Sequence, residues 1–177
     1  MAINRRNVIK GALAAGAAAQ VLKVPAARAQ AAPMRVGFLT IKTGPLASGG
    51  LQMEQGLTAF FKERGNMLAG RPVELHTADT AGNPAQARTK TQELVERLNV
   101  GVLIGPLAAF EALAIDDYVR SSRTPILSVA GAEDMTQRKP NPWFVRPSCT
   151  SAQPSHAMGD YAANELKIGR ASCRERV

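Results

Sequence analysis

Residues 83–106 read NPAQARTKTQELVERLNVGVLIGP. Asn83 can cap a helix, Pro84 suits the first helical position, and Gln86 stands where it can close a capping box. Ala87, Thr91, Leu94, Val95 and Leu98 then fall on one helical stripe. Val100–Ile104 is a short apolar run that reads as a buried strand. Gly105-Pro106 breaks the chain after it. A helix that feeds directly into a strand is half of a βαβ unit, so the flanking sequence must show whether the unit repeats.

It repeats in both directions. Upstream, Met34–Ile41 (MRVGFLTI) reads as a buried strand. Met53, Leu57, Phe60, Phe61 and Arg64 follow at helical spacing, with Gly65 to stop that helix. Pro72–Thr77 (PVELHT) is a second strand, with Val73, Leu75 and Thr77 on one face. Downstream, Phe110, Leu113, Ala114 and Tyr118 make a helical face, Pro125–Val129 (PILSV) a fourth strand, and Trp143–Arg146 a short fifth. Thr150-Ser151-Ala152-Gln153 has capping-box spacing, and a helix through Met158 and Tyr161 to Leu166 follows. Alternating strands and helices define an α/β chain with a parallel doubly wound sheet.

Such sheets bind ligands at the carboxyl ends of their strands. Three loops there are rich in small residues: Thr43–Gly50, Gly105–Ala109 and Ala130–Glu133. Small residues let a ligand approach the backbone, and helix N-termini offer free N–H groups to an anion. Taken singly, each loop is better read as Gly and Pro breaking the chain between elements. Together, on one expected edge, they form a candidate binding surface.

Both ends of the chain stand apart. Residues 1–29 open with Arg5, Arg6 and Lys10, continue as an Ala-rich run, and close on small residues at Ala27 and Ala29. That is the layout of a signal peptide with an A-x-A cleavage site, too weakly apolar for stable membrane insertion. Asn4–Lys10 resembles a twin-arginine export signal; a general secretory signal carrying two arginines is the alternative. No cysteine marks a lipoprotein anchor there. Recognition by export machinery and a soluble periplasmic product are the expectation. At the other end, one back-translation of residues 168–177 is ATC GGA AGA GCG TCG TGT AGG GAA AGA GTG, which resembles a short-read sequencing adapter read in frame. Residues 168–177 are therefore expected to be a non-native tail, with the natural chain continuing past Lys167. A genuine basic C-terminus is the alternative.

The ends carry the charge. The whole chain has 22 basic and 14 acidic residues, but residues 30–167 hold 14 and 13. That near-balance gives no argument for nucleic acid or an acidic membrane surface. Cys149 is the one cysteine between residues 30 and 167. It is either a free buried thiol or half of a disulfide whose partner lies elsewhere. Residues 30–167 suffice for one core, although as part of a larger unit they are expected to leave apolar helix faces uncovered and Pro125–Val129 without a neighbour.

No catalytic or metal-ligating pattern emerges. His76 and His156 are far apart and lack metal-ligand spacing. There is no G-x-S-x-G elbow, G-x-G-x-x-G or phosphate loop. Asp116 and Asp117 diverge by about 100° on a helix and read as a solvated face. Glu133-Asp134 is an acidic loop without a partner for acid–base work. No cofactor is expected.

The segments VGFLTIKTGPLASGG, DTAGNPAQARTKTQELVE before VGVLIGPL, TPILSVAGAEDMT and NPWFVRPSCTSAQPSHAMGDYAANEL together resemble one family. It is the periplasmic substrate-binding proteins of branched-chain amino acid type ABC transporters, the type I periplasmic binding fold. The resemblance implies two lobes that close on a small-molecule ligand and dock on a membrane permease. Residues 30–167 would be most of the first lobe. The first-lobe site it implies is Leu46, Ala47, Ser48, Pro106, Leu107, Ala108, Ala130, Gly131 and Ala132, acting mostly through backbone and shape. Amino acid-binding members carry a serine where this chain has Leu107–Phe110, and a Ser or Thr in the turn that here reads Ala130–Glu133. These departures suit an aromatic acid, amide or urea better than a plain α-amino acid. Phe110 would then be a stacking wall, unless it is a core residue of its helix. A ligand-sensing receptor of the same fold, or an exported α/β enzyme with catalytic residues elsewhere, are the alternative classes.

Overall fold

The computed structural model describes residues 32–168. The expectations for Arg5, Arg6, Ala27 and Ala29, and for the tail beyond Ile168, lie outside the described residues. In chain order the elements are β1 (Met34–Thr40), α1 (Ala47–Glu63), β2 (Met67–Leu68), β3 (Arg71–Asp79), α2 (Pro84–Gln92), β4 (Val102–Ile104), α3 (Ala109–Ser122), β5 (Ile126–Leu127), β6 (Phe144–Val145) and α4 (Ala152–Asn164). They build a six-stranded sheet in the order β2-β3-β1-β4-β5-β6. All neighbours are parallel except the hairpin β2–β3. Strand β2 is too short to leave a period in the sequence. It turns into β3 through Ala69 and Gly70, both at positive φ.

Alternation along the strands assigns the two faces. Leu103 points to a core shared with Leu39, Leu94, Ala112, Ile115 and Ile126, which α2 and α3 cover. Burying each of the Leu and Ile side chains among them contributes about 1.5–3 kcal/mol. Val36, Val102 and Ile104 point the opposite way, toward Met53, Leu57, Phe60 and Phe61 of α1. Helix α1 covers only part of that face. An apolar groove of about 450 Å³ runs beside it to Leu127, Val129 and Pro147. Strand β5 is paired on both sides, with β4 and β6. The expectation that Pro125–Val129 lacks a neighbour is thus corrected: its edges are paired, and its α1-side face is open.

Local chemistry explains the boundaries. The Asn83 side chain accepts from the N–H of Ala85 and Gln86, a cap worth about 1 kcal/mol. Gln86 does not close a box, because the Asn83 N–H already donates to Thr80 O. Helix α2 runs on into a π-helical turn, Glu93–Arg97, closed by Leu98 N–H donating to Glu93 O. The second box does form at the start of α4: Thr150 N–H donates to Gln153 Oε1 and Gln153 N–H to Thr150 Oγ1. No side chain of α4 is buried, and Cys149 before it is exposed, not buried.

Helix α3 is rotated from the expected face. It buries Glu111, Ala112, Ile115, Asp116 and Val119, while Phe110 and Leu113 are exposed. Two polar residues, Glu111 and Asp116, lie on the inner face. Asp116 is 7% exposed and accepts from Asn141 Nδ2 at 2.6 Å, so it is not the solvated residue the Asp116-Asp117 pair suggested. Among the described residues no helix is long and apolar enough to cross a membrane.

Candidate ligand-binding site

Strand β1 lies between β3 and β4, so the chain leaves β1 in one direction and comes back on its other side. The loops after β1 and β4 leave the sheet on opposite sides of this switch point, the place where open α/β sheets take their ligands. Their approach is close: Leu107 Cδ2 lies 3.2 Å from where a Cβ on Gly49 would sit. Two glycines make it possible. A Cβ at Gly50 would overlap the Ile41 carbonyl, where Thr40 Oγ1 donates to Gly50 O. Gly105 has φ +91° and would drive a Cβ into the Leu39 carbonyl. The third loop is fastened to the second by buried Ser128, whose hydroxyl donates to Pro106 O at 2.7 Å and accepts from Ala130 N–H.

The three loops foreseen in the sequence thus share one edge. Their residues are not equally open to it. Leu46 and Ser48 are exposed, and Ala47, Leu107, Gly131 and Ala132 half-buried. Pro106, Ala108 and Ala130 are buried and support the loops from within. Phe110, at 47% exposure, is not a core residue.

The electrostatics of this edge come from the backbone. Helices α1 and α3 start at Leu46 and Ala108 with no side-chain cap. Helix α2 has its Asn83 cap and α4 its Thr150–Gln153 box. The two uncapped N-termini flank the switch point, where free N–H groups and the helix dipoles favour an anion. In the third loop the carbonyls are engaged. Arg146 donates to Ala130 O at 2.7 Å, to Ala132 O and to Thr136 Oγ1. Ser151 N–H donates to Gly131 O at 3.0 Å. The carbonyls of Ala130, Gly131 and Ala132 are thus all bonded within the protein, as is the Ala130 N–H, which donates to Ser128 Oγ.

Sequence reasoning missed four residues that hold this edge: Asp79, Glu111, Ser128 and Arg146. Asp79 ends β3 and orders the first loop, accepting from the N–H of Lys42 and Ala81 at 2.9 Å and from Thr43 Oγ1. Partial burial works to raise its pKa, but these donors outweigh it and hold the carboxyl below its ordinary value. The available signal was position, since both Asp79 and Arg146 directly follow strand-forming residues at the carboxyl edge. His76 stays within β3, with Nε2 3.4 Å from Glu74, and His156 is exposed on α4. A separate cavity of about 470 Å³ lies at the opposite edge, by Met34, Arg35, Arg71 and Asn99.

The lobe carries two helix N-termini without side-chain caps and exposed Leu46 and Phe110 at this edge. The chain belongs to the periplasmic binding protein family, whose model matches residues 33–173. It is 30% identical over 136 residues to Leu/Ile/Val-binding protein homolog 6 of Brucella abortus (strain 2308), covering 76% of this chain and 35% of that protein. Among solved structures, an ABC transporter substrate-binding protein from Sphaerobacter thermophilus matches with a TM-score of 0.69 and 34% identity, over 76% of this chain and 37% of the other. A solute-binding protein of an ABC transporter from Rhodopseudomonas palustris BisB5, solved with 3,4-dihydroxybenzoic acid, matches at 0.69 and 32%, over 74% and 36%. The fold is that of the type I periplasmic binding proteins, and the chain spans little more than a third of the length of these relatives. The family it matches is one of binding proteins.

Proposed function

We propose that this chain is the first-lobe part of the periplasmic solute-binding component of an ABC importer, and that its ligand is a small organic carboxylate lacking an α-ammonium group, of the aromatic acid class. The observation that carries this is the pair of uncapped helix N-termini at the switch point. They offer N–H donors to a carboxylate. An ammonium group needs acceptors instead, and the third-loop carbonyls of Ala130, Gly131 and Ala132 are already bonded, two of them to a cation. Leu46, Leu107 and Phe110 supply apolar surface for a ring. The aromatic acid held by the Rhodopseudomonas palustris protein agrees with this reading.

In this account Leu46, Ala47, Ser48, Leu107, Gly131 and Ala132 contact the ligand, while Pro106, Ala108 and Ala130 shape the loops. A second lobe closes over the ligand, and the closed form docks on the permease. Residues 1–29 direct export, with Arg5 and Arg6 as the twin-arginine pair and cleavage after Ala29. The test is calorimetric titration of the full-length protein with benzoate, 4-hydroxybenzoate, leucine and urea. Saturable binding of an aromatic acid with leucine at least tenfold weaker is expected, a gap of about 1.4 kcal/mol. Tight leucine binding with no response to either aromatic acid would overturn the assignment.

A further inference from the structure

Glu111 is fully buried in the first turn of α3, and neither carboxyl oxygen has a partner of hydrogen-bonding geometry among the described residues. The Thr80 hydroxyl and the Ala108 N–H lie beside it, and Asp79 is the neighbouring charge. The Thr80 hydroxyl hydrogen is already committed, donating to Thr40 O at 3.1 Å. Thr80 Oγ1 therefore offers Glu111 a lone pair rather than a proton. Asp79 keeps its negative charge with the donors of the first loop. Among the described residues no lysine or arginine forms an ion pair with Glu111, and Lys42 Nζ, which neighbours Asp79, is bound to Glu54 at 2.7 Å. An ionised Glu111 would be a buried, uncompensated anion behind a helix N-terminus that serves an anionic ligand.

We infer that Glu111 is a positioning residue held in its neutral form, its carboxyl turned to the Thr80 hydroxyl oxygen beside it, where α3 meets the ends of β1 and β3. Thr80 in turn donates to the Thr40 carbonyl. The contact sets the β4–α3 loop against the β3–α2 loop without placing a negative charge under the binding surface. Burial, chiefly, and the nearby Asp79 charge favour the neutral form, outweighing the pull of Thr80 and Ala108 toward ionisation. A group that holds its proton more tightly when folded contributes stability at low pH and loses it as pH rises through its folded-state titration. Glu111→Gln keeps the donor and the shape but cannot ionise, whereas Glu111→Leu removes the donor.

The part of this inference that concerns ligand rests on the carboxylate reading above; the protonation does not. The first readout is infrared spectroscopy of the full-length protein at neutral pH. A protonated-carboxyl C=O band present in wild type and missing from Glu111→Gln is expected; identical spectra would overturn the inference. The second is thermal unfolding from acidic to alkaline pH. Wild type should lose stability relative to Glu111→Gln as pH rises, and a gap that stays constant or reverses would contradict it. The third is affinity for 4-hydroxybenzoate. Glu111→Leu should weaken it by about tenfold or more, the equivalent of one pKa unit, with Glu111→Gln rescuing most of the loss. Loss in Glu111→Gln as large as in Glu111→Leu would show that an ionised carboxylate is needed. If no variant binds the acid but the first two results hold, the ligand reading fails and the positioning role stands.

Discussion

Replacing Arg146 by Met probes the third loop directly. The guanidinium makes hydrogen bonds to Ala130 O, Ala132 O and Thr136 Oγ1 and lies 5.4 Å from the Phe144 ring centroid. A hydrogen bond from a charged donor contributes about 1.5–3 kcal/mol. Three of them do not simply add, since they act on one loop and Arg146 is only half-buried, so water recovers part of the loss. Met keeps much of the stem volume and removes the donors. The expected loss of stability is about 2–4 kcal/mol, with Lys recovering little because it lacks the planar fork. Loosening the loop also frees its carbonyls, so affinity for an aromatic acid should fall and discrimination against leucine should shrink. Urea unfolding and calorimetry of the full-length variant measure both. A variant within about 0.5 kcal/mol of wild type, the level of an ordinary surface substitution, with unchanged selectivity, would refute the reasoning.

Three further outcomes follow from the same geometry. Asp79 is held below its ordinary pKa, so its contribution is present above the ordinary Asp range and lost as pH falls through the folded-state value. The unfolding difference between wild type and Asp79→Asn should therefore shrink toward acid pH, and a difference that grows would contradict the assignment. Gly50→Ala should destabilise by about 3 kcal/mol or more, because the new Cβ meets the Ile41 backbone rather than a movable side chain; a variant that melts like wild type would remove the close approach of α1 to β1 from the account. Residues 30–167 alone should aggregate or bind ligand very weakly, because the groove beside α1 exposes a broad apolar surface; a cooperative melt with micromolar binding would show this to be wrong.

Apart from the two-residue strand β2, the sheet was legible because its elements carry local signals of their own. The apolar stripe of α1, the Asn83-Pro84 start of α2 and the Val100–Ile104 run are local signals, and their order implies parallel strands. What was not legible depends on partners distant in sequence. The buried face of α3 missed by one position because Glu111 and Asp116 are inside, each beside residues from other elements: Thr80 for Glu111, Asn141 for Asp116. The three site loops could be located from Gly and Ala content alone. Which of their backbone groups remain free could not, since that is set by Arg146, Ser151 and Ser128, residues whose side-chain or backbone reach the sequence does not display.

The central claim is that ligand binds at the carboxyl edge of the sheet, on the loops around the switch point. Amide hydrogen exchange of the full-length protein, with and without the tightest-binding acid of the calorimetric panel, tests it most directly. The account predicts that ligand slows exchange in residues 43–50, 105–110 and 130–133 and leaves the opposite edge, residues 32–35 and 99–102, unchanged. Protection concentrated at that opposite edge, or in the groove beside α1 with the three loops unaffected, would contradict it.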